Sequence, residues 1–235
     1  MRRLLTLIIF IVLSLIYYFL KFEEFETTKT ILTVASFLFA IFTGFFISRQ
    51  GRRYNNIRAT IANFDGDVSA LYRIFGHAGA KIKDEAAAII KSHYDVILKN
   101  HAWDYQFTHK SETITKLHTL VDNEKFQSKK WLTRPAMSAL NSLQKGRKQM
   151  VVLQLERVPA FQWILIIVLC CIMLITLAFL PSLYPIFFAL LKGAFGTAIV
   201  IVLVMLYEFD RLRFFEGVIG EKSARDVLDI VKGKK

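Results

Sequence analysis

The residues best equipped for chemistry are charged groups placed against apolar sequence. Arg49, Arg52, Arg53 and Arg58 follow directly on a Phe-rich apolar run. At a membrane exit such a group is either a solvated flank or a basic vestibule that concentrates anions at the inner mouth of a pore. Lys192 is the other notable cation, the lone charge inside an apolar run, roughly 10 Å from Pro185 by helical rise. It reads either as a side chain snorkelling to the outer interface or as an intramembrane anion site. The remaining candidates are thin. Glu208, Asp210 and Glu216 are spaced carboxylates, whereas Ca²⁺ takes about six to eight oxygen ligands. His77, His93, His101, His109 and His118 lack metal-ligand spacing. Cys170 and Cys171 are sequence neighbours, which seldom bridge. No Gly-rich phosphate loop, HExxH, CxxC or GxSxG occurs. The expectation is therefore a protein that is not an enzyme, with no cofactor and no metal.

The elements that position these groups are apolar runs. With 54% hydrophobic residues the chain is too apolar for an ordinary soluble domain. Leu4–Leu20, Ile31–Ile47, Phe161–Leu180 and Ile186–Tyr207 approach the roughly 20 residues needed to cross a hydrocarbon core. Met1-Arg2-Arg3 could open a signal peptide, but Lys21–Glu26 offers no small-residue cleavage site, so a retained anchor is expected. The net charge of +12 is concentrated. Arg49–Val158 carries 19 Lys and Arg against 10 Asp and Glu, whereas the loops Lys21–Lys29 and Pro181–Pro185 are poor in positive charge. By the positive-inside rule both termini and the middle segment are cytoplasmic. A basic surface beside an anionic leaflet accounts for that charge, and the expected partner is the lipid bilayer rather than nucleic acid.

The fold class expected is an all-α integral membrane protein with four transmembrane helices (2+2) and a helical cytoplasmic insert. Its parts are transmembrane helices 1 and 2 over 1–48, the insert over 49–159, transmembrane helices 3 and 4 over 160–207, and a cytoplasmic tail over 208–235. The central stretch is Thr30–Arg58. On a helical wheel Thr33, Ser36, Ala40, Thr43 and Gly44 share a narrow face suited to close helix packing. Leu38, Phe42 and Phe46 stack at i, i+4 and i+8. Around a symmetric oligomer that column would form a hydrophobic constriction gating by dewetting; otherwise it faces lipid or the bundle. Beyond the exit, Ile57, Ile61, Phe64, Val68, Leu71 and Phe75 repeat at spacings of four and three, a seam for packing against other helices. If Gly51 does not break the helix, this seam continues the Phe39/Phe42/Phe46 side, which counts against those rings facing an aqueous pore. Gly76–Gly79 predicts a turn and Ala80 to about His101 a helix. Ser111 would cap a shorter helix with Ile114, Leu117, Leu120 and Val121 inside, and Thr133 would cap another with Pro135 in its first turn.

Two spans, a helical insert, two spans and a tail resembles the bestrophin plan. Ala40-Ile41-Phe42-Thr43-Gly44-Phe45, Ser48, Arg53-Tyr54 and Arg58 resemble the bacterial bestrophin exit from its second span. Leu140–Leu143, Arg147, Val158-Pro159 and Trp163 are similar to the third-span approach of the bacterial bestrophin-like family of four-span proteins. Glu208–Arg211, Phe214, Gly217, Ile219 and Ser223–Leu228 are similar to that family's tail. The usual tail Pro is replaced by Leu212-Arg213, an acidic family position falls on Asn63, and the acidic calcium clasp of animal bestrophins is absent. Residues 76–134 carry none of the likeness. The resemblance implies a bacterial plasma (inner) membrane protein, homo-oligomeric and pentameric if bestrophin-like, conducting ions and specifically anions such as chloride. Leu38, Phe42 and Phe46 would then be the constriction, Arg49, Arg52 and Arg53 the inner-mouth basic group, and Lys192 a possible intramembrane anion site. The alternative is a non-conducting scaffold or sensor whose basic insert binds a partner or anionic lipid.

Overall fold

The computed structural model describes residues 2–20, 26–100, 112–181, 184–212 and 221–234. Among them every regular element is helical. The long helices are α1 (Arg2–Phe19), α2 (Thr28–Ala78), α3 (Ala80–Asn100), α6 (Lys130–Leu155), α7 (Ala160–Ala178) and α8 (Pro185–Asp210). Shorter ones are α4 (Thr113–Val121), α5 (Glu124–Gln127) and α9 (Glu221–Val231). The chain forms two compact units: Met1–Gly51 with Arg157–Phe214, and Arg52–Glu156 with Phe215–Lys235. We call them the apolar and the charged unit.

The apolar unit is built from α1, the first part of α2, α7 and α8. The stretches Thr28–Ala78, Lys130–Ala178 and Pro185–Asp210 contain segments long and apolar enough to cross a membrane; the apolar helix Leu4–Phe19 is shorter. This is a membrane protein. Its core gathers Tyr17, Ala35, Phe39, Phe46, Ile166, Met173 and Leu206. Phe37, Phe45, Phe161 and Ile186 remain exposed, as lipid-facing positions should. The glycines that permit close approach lie on α8, where α1 packs. A Cβ on Gly193 would collide with the Ser14 Oγ, and one on Gly196 would meet Leu174, Leu13 and Tyr17 at 3.2–3.5 Å. On α2 the packed side differs from the small-residue face expected of it. Ala35, Phe39, Thr43 and Phe46 are buried, whereas Thr33 and Ala40 are exposed and a Cβ on Gly44 would meet nothing within 4 Å. The inward turn gives Phe46 an edge-on contact with Trp163 of α7, and between apolar surroundings such packing contacts decide which side faces inward.

The charged unit follows the sequence closely. Ile57, Ile61, Phe64, Val68, Leu71 and Phe75 are all buried, so the four-and-three spacing does mark a packing seam. Helix α2 runs unbroken through Gly51. It stops at Ala78, and Gly79 makes the turn into α3 at a φ of +140°, a conformation that strains any side chain with a Cβ. In α4 the buried residues are Ile114, Leu117, Leu120 and Val121, as the periodicity requires. The expected cap Ser111 lies outside the described residues. Helix α6 begins at Lys130, ahead of the expected cap Thr133, and takes Pro135 into its interior. The earlier start places Leu132 on the buried side. The single turn α5, capped by the Asn123 side chain accepting from the Lys125 N–H, has no counterpart in the sequence reading. Its Phe126 packs edge-on against Phe75, ring centroids 5.5 Å apart. Helix α9 lies on α3 and buries Ala224, Val227 and Leu228.

Candidate functional site

In the apolar unit the Leu38/Phe42/Phe46 column is divided. Leu38 and Phe42 are 38% and 37% exposed, while Phe46 is only 5% exposed. Phe46 turns inward because α2 drifts by a fraction of a turn over eight residues, and its ring meets Trp163 of α7 edge-on, centroids 5.6 Å apart. Trp163 in turn stands edge-on to Tyr207 of α8 at 6.3 Å. The Arg211 guanidinium lies 4.4 Å from the Tyr207 ring, close enough for a cation–π interaction. Three apolar helices thus end in one aromatic series with a cation at its edge.

Beside that series sits a buried carboxylate. Asp210 Oδ1 accepts the backbone N–H of Val158 at 2.9 Å and the Gln50 side-chain amide at 3.2 Å. Gln50 and Asp210 are both buried. The acceptor serves an orphan N–H in the break between α6 and α7, and it holds the end of α2's apolar run to the end of α8. Desolvating a carboxylate is costly, so a position that keeps one must return several hydrogen bonds. Asp210 was read in the sequence only as one of three loosely spaced carboxylates. Its fastening role was missed, although an acid within one turn of a long apolar run is a signal for it. Glu216, the third of those carboxylates, lies outside the described residues, and no cluster of metal-ligating side chains occurs among the described ones.

The basic exit also separates. Arg49 is half-buried and Arg52 exposed. Arg53 is buried in the charged unit, where its Nε donates to the Leu153 carbonyl and its Nη2 to that of Gln154, each at 2.6 Å. Those carbonyls are among the last of α6, which have no partner inside their own helix and face the negative end of its dipole. Lys192 is buried, and its Nζ donates to the Leu180 carbonyl at 2.6 Å, just past the end of α7. That is again a cation on helix-terminal carbonyls.

Deeper in the charged unit Asp65 is buried. The Tyr94 hydroxyl of α3 donates to its Oδ1 at 2.5 Å. Burial pushes the Asp65 carboxyl up to about 6, against the opposing pull of the Ser223 and Tyr94 hydroxyls. Tyr94 itself is pushed up by burial and then by the charge of Asp65. The neighbours of this carboxyl are hydroxyls, those of Tyr94 and Ser223. Its signal in the sequence is a carboxylate lodged between the seam positions Phe64 and Val68.

Residues 22–220 of the chain match the family described as Bestrophin-like domain. No curated protein and no solved structure matches it.

Proposed function

The chain belongs to the bestrophin-like family, and from that membership we propose a four-span inner-membrane protein that assembles as a homo-oligomer around an ion pathway lined by α2. The observation that carries this reading is the outward position of Leu38 and Phe42 on α2. A half-exposed Leu–Phe pair one turn apart, repeated by symmetry, gives a ring of apolar side chains from which water withdraws. In this proposal Phe46 braces the ring from behind through Trp163. Arg49 and Arg52 supply positive potential at the inner mouth, which favours anions such as chloride. Arg53 holds the end of α6, and Lys192 both secures the end of α7 and adds positive charge toward the outer side.

Purified protein in planar bilayers tests this. The expected result is a conductance carried preferentially by anions and raised by Phe42→Ala, which widens the ring. Silence of wild type and Phe42→Ala alike, across salts and pH, overturns the pore.

One observation favours a second reading, a membrane scaffold whose basic unit recruits a partner. Trp131 is 67% exposed between exposed Lys130 and Arg134, an aromatic anchor in a positive setting. Its test is a pull-down with the full chain and with Trp131→Ala. Loss of a captured protein in the variant supports this reading, and identical captures remove it.

A further inference from the structure

The three helices that meet at Asp65 belong to distant parts of the chain. Asp65 is on α2 and Tyr94 on α3, and Ser223 comes from α9, beyond the last apolar helix. The Tyr94 hydroxyl is already committed to Oδ1. The other oxygen, Oδ2, is buried and meets no donor at hydrogen-bonding geometry among the described residues, although the Ser223 hydroxyl approaches closely enough to favour the anion. A second tie holds the far end of the same helix, where the Tyr72 hydroxyl donates to the Val231 carbonyl at 3.2 Å. Between the two ties α9 buries only Ala224, Val227 and Leu228. So small an apolar contact leaves the polar ends a large share in deciding whether the helix stays down.

We propose that Asp65, Tyr94 and Ser223 form a proton-operated latch that holds the C-terminal helix α9 on α2 and α3. With a proton on Oδ2, the carboxyl is neutral and can donate to the Ser223 hydroxyl while still accepting from Tyr94, so the buried group is satisfied. When that proton leaves to solvent, a carboxylate is held in a dry site with hydroxyls as its only counterparts, and lifting α9 rehydrates it. Protonation closes the latch and loss of the proton loosens it.

The groups around the carboxylate support this direction. Tyr94 faces it from α3 and Ser223 from α9. Asp67 stands two residues away on α2, itself raised by burial. On α3 the neighbouring His93 packs its ring against Tyr94 at 5.2 Å and Phe64 at 6.3 Å, with Nδ1 3.1 Å from the Thr113 hydroxyl. The docked carboxyl holds its proton up to about 6, whereas a released, hydrated one holds it only near its ordinary value of 3.8. Docking therefore takes up a proton. Its equilibrium weakens as pH rises from about 4 to about 6 and is flat above, a total change of roughly tenfold to a hundredfold.

Hydrogen–deuterium exchange of the full-length protein in nanodiscs, compared with Asp65→Asn at each pH so that intrinsic exchange cancels, reads the latch directly. At pH 7.5 the α9 amides of wild type should exchange roughly tenfold to a hundredfold faster than those of Asp65→Asn, and the two should converge as pH falls toward 4. Equal α9 exchange in wild type and Asp65→Asn at every pH overturns the proposal. So does a change in α4 and α6 that leaves α9 unaltered, which would place the effect elsewhere in the unit. Loss of the pH dependence in His93→Gln with its retention in Asp65→Asn would assign the titration elsewhere and overturn it as well.

Discussion

The two units solve opposite problems with the same element. Along α2 the apolar unit exposes Phe37, Ile41 and Phe45, while the charged unit buries Ile57, Phe64, Leu71 and Phe75. Around the first stretch the outside is apolar, so burial of apolar area distinguishes little between inside and outside, and contact quality decides. Around the second the outside is water, and apolar burial is itself the driving force. The few polar groups inside follow the same division. In the apolar unit, Thr43, Thr176 and Thr197 return their hydroxyls to carbonyls of their own helices, and Asp210 is shared between two partners. In the charged unit the carboxylate of Asp65 has less support, one hydroxyl on Oδ1 and no hydrogen-bond partner on Oδ2 among the described residues.

The sharpest way to break the comparison is to place one charge on each half of α2. Phe37→Arg should cost about 3 kcal/mol in membrane insertion, read as the fraction resisting alkaline extraction, because position 37 lies near the middle of the apolar run. Ala70→Arg, at an exposed position of the charged unit, should change melting by less than about 0.5 kcal/mol. Equal losses would mean that both halves face the same medium. A second test separates contact from composition within the apolar unit. Gly193→Ala drives a methyl into Ser14 and should cost about 2 kcal/mol in thermal stability. Gly44→Ala, with open space around its Cβ, should be neutral or gain up to about 1 kcal/mol. Loss at Gly44 in a native membrane preparation, but not in a dissociated chain, would place α2 against another copy there.

The mildest test concerns the charged unit's interior. Because the folded Asp65 carboxyl is raised above its unfolded value, the native state binds the extra proton, and its stabilisation is complete below about 4 and lost as pH climbs through about 6. Asp65→Asn should therefore match wild type near pH 4 and exceed it by on the order of 2 kcal/mol at pH 8, measured as a shift in melting temperature converted to free energy. A constant difference across that range would show that burial of the carboxylate does not govern stability.

Much of this was legible in residue order. The seam from Ile57 to Phe75, the turn at Gly79 and the inward set of α4 follow from periodicity and from backbone freedom that only glycine has. The apolar runs follow from hydropathy, since twenty uncharged residues in a row have few other uses. Less legible was the rotation of α2. Phe39 and Phe46 lie inside while Phe42 is half-exposed, a choice among three similar rings that turns on where Trp163 and Tyr207 stand. The start of α6 was placed late because Thr133 and Pro135 look like a helix opening, and the need to bury Leu132 outweighed them.

Sequence by itself determined the helical class, the clustering of charge between apolar runs and the family, because each depends on residue types along one dimension. Only the tertiary structure decided what the charged residues do. Arg53 and Lys192, alike in the sequence as cations beside or inside apolar stretches, both answer the carbonyls at a helix end. Asp210 fastens segments about fifty and more than one hundred and fifty residues away in the chain, Val158 and Gln50. Asp65 waits for a proton under a helix that begins beyond the last apolar run. The physical reason is common to all four. A charge removed from water is stabilised by the donors or acceptors that surround it, and those come from segments whose proximity no local pattern encodes.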